Sequence, residues 1–289
     1  QRYAHRRRSP GSDAVMETTT TTIVPSRIAD TFARVASENR IAIMPFAMAG
    51  FPTLERSEEI MVGLVEGGAE LIEIGIPFSD PIADGIAVQH TGQVALEQGT
   101  RLTDVLALAR RLRARGITIP LLLMGYLNPV LKYGIDQYVK DAAEAGADGF
   151  IVPDLPAEES DSFREACIAN GRDLIYMVAP TSTDVRLEAT AQRASGFIYC
   201  VAVTGVTGAR DKMSDTLGEY LDRIRSHTDL PLAVGFGISR PDHVRQVHQH
   251  AQGAIVGAAL INYLDTLSAT DQPAGAKKFV QFLKGEAEL

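Results

Sequence analysis

The feature that most constrains this chain is a repeat. From about residue 26 to the C-terminus, short apolar runs alternate with longer amphipathic stretches. The runs are IAIMPFAM (41–48), LIEIGI (71–76), IPLLLMGY (119–126), GFIVPD (149–154), LIYMVAP (174–180), GFIYCVAV (196–203), LPLAVGFG (230–237) and GAIVG (253–257). Each has the length of a buried strand, and Gly or Pro falls in or beside it. The stretches between them read as helices. RSEEIMVGLVEGG sets Ile60, Met61, Leu64 and Val65 on one face and stops at a Gly pair. LTDVLALARRLRARG has Thr103 as its expected N-cap, arginines in its last turn and Gly116 just beyond it. Residues 135–145, 158–170, 216–226 and 241–249 fit the same pattern, the last opened by Ser239 as a cap and Pro241 in the first turn. AKKFVQFLKGE forms a final helix.

Eight strand–helix units argue for a parallel sheet closed on itself: an α/β chain folded as a (β/α)8 TIM barrel, with an N-terminal helix and short extra helices. An open doubly wound sheet is the main competitor. It usually carries G-x-G-x-x-G after its first strand, and AGFP stands there instead. A length of 289 residues suits one such barrel, and the 45% hydrophobic content supplies its core.

Charge and composition narrow the function. A net charge of -8 argues against a nucleic-acid partner, which would need a basic face. No run of 18 apolar residues is available to span a membrane. Cys167 and Cys200 are far apart in sequence and fit a reducing, cytoplasmic setting. Residues 1–24 differ in kind: QRYAHRRRSPGSDAV has four arginines and one acid, and a Thr tract follows. They are expected to be a disordered tail before a catalytic domain spanning 25–289. A plastid-type transit peptide and a plain upstream extension before Met16 both fit that composition.

Glu73 is the anomaly within the strands. Side chains alternate faces along a strand, so Leu71, Glu73 and Gly75 share one face and Ile72, Ile74 and Ile76 the other. The isoleucines suit the side packed on helices, which turns Glu73 into the barrel. A lone buried carboxylate costs several kcal/mol unless paired or wetted. Near the C-terminal mouth, with Gly75 expected to leave open space beyond it, Glu73 could meet substrate. Desolvation would bring its pKa toward neutrality, as an acid–base catalyst requires. The competing reading is an interior ion pair, but no predicted strand interior offers a cation. PFSDPIADG follows directly, and its acids Asp80 and Asp84 are each either a second ligand-facing carboxylate or ordinary turn residues.

Three later strand ends carry glycine: VTGVTGAR (203–210), VGFGIS (234–239) and IVGAALI (255–261), the last opening a short helix. Glycine lets backbone N–H groups approach an anion, and barrels often hold phosphate after strands seven and eight. Gly208, Gly237 and Gly257 are the expected lining, and the substrate is expected to be a small phosphate ester. His243, His248 and His250 lack metal-pair spacing, so no metal is expected.

LIEIGIPFSDPIADG, MGYLNP, VPDLPAEES, VTGVTGAR and GFGIS, in that order, resemble the α subunit of tryptophan synthase from about residue 26 onward. The first motif is long and highly specific. The resemblance implies a lyase that cleaves indole-3-glycerol phosphate to indole and glyceraldehyde 3-phosphate by a retro-aldol step in tryptophan biosynthesis. It implies Glu73, Asp84 and Tyr199 as catalytic residues and Phe46 as a wall of the indole pocket. It maps phosphate binding to Thr207, Gly208, Gly237, Gly257 and Ala258. It implies no cofactor in this chain and a pyridoxal-phosphate β subunit as partner in an α2β2 heterotetramer, met by Asp80, Pro81 and the Asn128–Pro129 turn. Loops 79–85 and 204–216 are expected to couple the two sites. Two departures stand out. Ala258 replaces a common Ser, and Met48 and Phe51 replace Thr and Asp of many relatives. The alternatives are another phosphate-binding barrel of the pathway, which would need a strand-end Lys or Asp pair, and a non-catalytic α-like subunit that only activates its β partner.

Overall fold

A computed structural model of the chain describes residues 26–201, 215–235 and 237–289. Residues 1–24, read above as a disordered tail, lie outside them. Eight strands form a closed parallel barrel in chain order: β1 (Ala42–Met48), β2 (Ile72–Gly75), β3 (Leu121–Met124), β4 (Gly149–Ile151), β5 (Asp173–Val178), β6 (Ile198–Val201), β7 (Leu232–Gly235) and β8 (Gly253–Val256). β8 closes on β1 with Pro45 opposite Val256.

Strand alternation sorts the core into two shells. Ile72, Ile74 and Ile76 pack outward with Leu121, Leu123 and Phe150 against the helices. Ala42, Met44, Leu71, Leu122, Ile151, Ile175, Ala233 and Ile255 fill the barrel interior. Burying each large side chain stabilises the fold by ~1.5–3 kcal/mol.

The N-terminal helix, Arg27–Ser37, seals the floor. Its Ile28, Phe32 and Val35 join the interior cluster, and the Phe32 ring stands 5.5 Å from that of Phe197. Polar ties hold it there: Arg27 donates to Asp148 at 2.7 Å and the Ser26 hydroxyl bonds Asp173. Asp148 also accepts from Arg113 at 2.5 Å and from the Leu121 N–H at 2.8 Å, so this buried carboxylate is fully engaged. With the floor closed, access to the interior comes from the C-terminal mouth.

Three local expectations change. The helix 102–114 begins one residue before Thr103, because Arg101 occupies the cap and Asp104 accepts its N–H at 2.8 Å. Arg240, not Ser239, caps helix Pro241–His248; the Ser239 N–H points to His243 Nδ1 at 3.3 Å. Asn128 and Pro129 are not a turn but the first turn of helix Leu127–Tyr133, where proline costs no hydrogen bond. Gly116 does follow its helix, with φ of 82°.

Candidate active site

The carboxyl of Glu73 sits inside the barrel on β2, in register between Phe46 of β1 and Leu122 of β3. It is 1% exposed, and neither oxygen has a hydrogen-bond partner among the described residues. No ion pair to Glu73 is therefore formed among the described residues. Burial alone pushes its pKa from 4.5 up to about 8. Glu73 borders a cavity of about 260 Å³ at the mouth. A carboxyl left without partners but opening onto a cavity is suited to exchange protons with whatever fills it.

The space above Glu73 differs from expectation. A Cβ on Gly75 would stand 2.5 Å from Phe46 Cζ and 3.0 Å from Met48 Sδ. Gly75 is small not to leave a void but to let the Phe46 ring and the Met48 sulfur lie across the strand. Gly235 plays the same part for Tyr199, since a Cβ there would meet the phenol ring at 2.6 Å. Phe46 and Tyr199 both line the cavity that Glu73 borders.

Asp84 reaches the same cavity from the loop after β2. Partial burial raises its pKa from 3.8 to about 6, opposed by a hydrogen bond from Tyr126. The Tyr126 hydroxyl also accepts the Ala83 N–H at 2.9 Å, and its ring stacks on Phe78 at 5.1 Å. Its own pKa is pushed up to about 12 by burial and by Asp84, so the phenol stays protonated and donates to the carboxylate. Gln89 Nε2 secures the loop from the other side, donating to Asp84 O at 2.9 Å. Asp80 does not line the cavity. It is exposed, and its carboxylate accepts from Ser79 at 2.5 Å. Of the two acids, equivalent on spacing alone, it is Asp84 that lines the cavity and bonds Tyr126. The Tyr199 phenol is pushed well up by burial first, then by the charges of Glu73 and Asp84.

The far end of the cavity is lined by Gly237, Gly257 and Ala258. Gly237 has φ of 46°, a left-handed conformation that favours glycine. Gly257 precedes helix Ala258–Leu264. Thr207 and Gly208 lie outside the described residues. Asn128 is exposed and Pro129 half-buried, beside the loop bearing Asp80 and Pro81. Sequence reasoning quoted Tyr126 within a motif but gave it no role. It also missed Met124 and Met177, which line the cavity. Tyr126 follows β3 by two residues, so its place at the mouth was the available signal. No group of three or more metal-ligating side chains occurs among the described residues.

The family model described as tryptophan synthase alpha chain matches residues 32–288. The chain is similar to the tryptophan synthase alpha chain of Roseiflexus castenholzii, 49% identical over 260 residues that span 90% of this chain and 100% of the relative. It is also similar to that of Chloroflexus aggregans, 46% identical over 91% of this chain and 98% of the relative. Among solved structures, the alpha subunit from Legionella pneumophila superposes with a TM-score of 0.85 at 35% identity, covering 91% of this chain and 98% of that one. A chain of the aminoacrylate-bound tryptophan synthase of M. tuberculosis gives 0.81 at 32% identity, covering 91% and 100%. A match that runs the length of the barrel, on relatives it covers almost end to end, means that the chain belongs to the tryptophan synthase alpha chain family.

Proposed function

We propose that Glu73, Asp84 and Tyr199 carry the chemistry of this site. The reaction is the family's alpha reaction: the lyase cleavage of indole-3-glycerol phosphate to indole and glyceraldehyde 3-phosphate. No cofactor is needed in this chain, and pyridoxal phosphate belongs to the β subunit. Glu73, protonated, gives its proton to C3 of the indole ring. The ring nitrogen becomes positive, and the bond from C3 to the glycerol chain becomes a leaving bond. The resulting Glu73 carboxylate takes the proton of the adjacent glycerol hydroxyl. Its oxygen electrons form the aldehyde carbonyl while the C–C electrons return to the ring. One proton leaves Glu73 and one returns, so the residue ends as it began.

The observation that carries this reading is the buried carboxyl of Glu73, without a partner among the described residues and with a pKa of about 8. A group with that pKa is protonated often enough to donate near neutrality and is a competent base once it has donated. Asp84, lower at about 6, is ionised under the same conditions. It accepts the indole N–H, and that bond strengthens as positive charge grows on the nitrogen. Tyr199 stays protonated and, seated on Gly235, positions the substrate between the two acids. Gly237, Gly257 and Ala258 offer backbone N–H groups to the phosphate, with Thr207 and Gly208 completing the contact by resemblance. The non-catalytic reading is not favoured, since the acids of the family motif are present.

The β subunit is the partner, and we extend this to an α2β2 assembly in the cytoplasm. Ile82 and Ile86 are 87% and 88% exposed beside Asp80 and Pro81, and Leu131 is 55% exposed on the helix of Asn128 and Pro129. Exposed apolar residues next to these segments suit a protein partner. The test of the chemistry is Glu73→Gln. It keeps the shape and removes the proton, so cleavage should fall by ~10²–10⁴-fold, while substrate binding measured by calorimetry stays nearly intact. Turnover within tenfold of the parent would remove Glu73 from the mechanism.

A further inference from the structure

Two small voids lie against the main cavity. One, of about 20 Å³, is enclosed by Phe46, Met48, Phe51, Ile60, Thr91 and Ile261. The other, of about 10 Å³, is enclosed by Phe46, Met48, Gly75, Asp84, Met124 and Tyr126. Phe46 borders the cavity and both voids, whereas Met48 borders only the voids. Phe46 therefore stands between the cavity and the voids, and Met48, behind it, forms a wall of both voids. Each void is about the size of one water-sized group.

These two side chains differ in stiffness. Phe46 lies pinned across Gly75. Met48 is unbranched, with three rotatable bonds and a polarisable sulfur. Its methyl runs toward helix Ile86–Glu97, 3.5 Å from where a Cβ on Gly92 would be. It belongs to an apolar cluster with Phe46, Ala95 and Ile261, packed by Phe51, Val88 and Met124, and a thioether shifting there breaks no hydrogen bond of its own. The second void also borders Asp84, the group assigned to the ring N–H, which sets it at the indole end.

The geometry points to Met48 as the specificity-determining residue of the indole end: as the rear wall of the void that Phe46, Asp84 and Met124 share with the cavity, it shifts to enlarge that void for one methyl- or halogen-sized substituent on the benzo ring. The site then takes ring-substituted indole-glycerol phosphates as well as the parent. This rests on the reading of the site given above. One methylene's worth of fit in an apolar pocket changes kcat/KM by ~10–200-fold, and a movable wall removes most of that discrimination.

The test compares the parent substrate with a panel of benzo-ring monomethyl isomers, using the full chain with its β subunit. The expected kcat/KM for the best isomer is within roughly tenfold of the parent. Met48→Phe, which fills the voids, should lower the isomer-to-parent ratio by roughly tenfold or more. Met48→Ala, which empties them, should raise that ratio. Either variant suffices if the other does not fold. The inference is overturned if the unsubstituted protein discriminates more than a hundredfold against every isomer, or if the variants change both substrates equally. Failure to cleave the parent substrate at all would instead overturn the assigned reaction, and the inference with it.

Discussion

The unpaired carboxyl of Glu73 should be measurable as stability before any substrate is added. Its pKa is about 8 when folded and 4.5 when exposed. Between those values the native state holds a proton that the unfolded chain has lost. Stability from this group is therefore full below pH 4.5, falls as pH rises, and levels off above pH 8. The rise corresponds to roughly 5 kcal/mol, of which about 4 kcal/mol is lost between pH 5 and pH 9. Glu73→Gln removes the titration. The Gln amide brings its own cost of burial, but that cost does not depend on pH. Urea unfolding of both proteins, followed by circular dichroism at pH 5 and pH 9, gives a double difference in which constant terms cancel. The variant should gain about 4 kcal/mol on the parent as pH rises. A double difference near zero would mean that Glu73 is hydrated or paired in solution, and the physical basis for its role would be lost.

Other consequences concern activity. The kcat/KM profile should be bell-shaped, falling below about pH 6 as Asp84 gains a proton and above about pH 8 as Glu73 loses its own; a flat profile across that range would contradict both assignments. Tyr126→Phe removes the donor that lowers the Asp84 pKa, so the acid limb should move to higher pH and kcat/KM should fall about tenfold or more, from the ~1.5–3 kcal/mol of a charged hydrogen bond. An unmoved limb would leave Tyr126 a merely structural role. Ala258→Ser restores a hydroxyl at the cavity end assigned to phosphate, and KM should drop by about tenfold with kcat little changed; an unchanged KM would place phosphate elsewhere. Gly235→Ala puts a methyl 2.6 Å from the Tyr199 ring. It should lower stability by ~1–3 kcal/mol and reduce kcat through the displaced phenol, measured by thermal melting and steady-state kinetics.

Much of this molecule was written in local pattern. Strand periodicity is a property of neighbouring residues, so Leu71 and Glu73 could be turned inward and Ile72, Ile74 and Ile76 outward from the chain alone. The same holds for the eight-unit alternation that closes into a barrel. Glycine needs at helix ends are local too, as at Gly116. Helix starts were less legible. At Thr103 and Ser239 the cap position goes instead to Arg101 and Arg240, side chains that carry no capping signal in sequence.

What remained hidden depends on groups distant in sequence. Asp80 and Asp84 are equivalent as turn residues; only the folded loop buries Asp84 in part and sets it against Tyr126, brought over from the end of β3. Gly75 looked like empty space because its own lack of a side chain is local, while the Phe46 ring and Met48 sulfur that fill it come from the neighbouring strand. The chain by itself fixed where the carboxyl of Glu73 must point. Its tertiary structure decided that no described residue answers it there, and desolvation, a property of the assembled interior, sets its proton affinity.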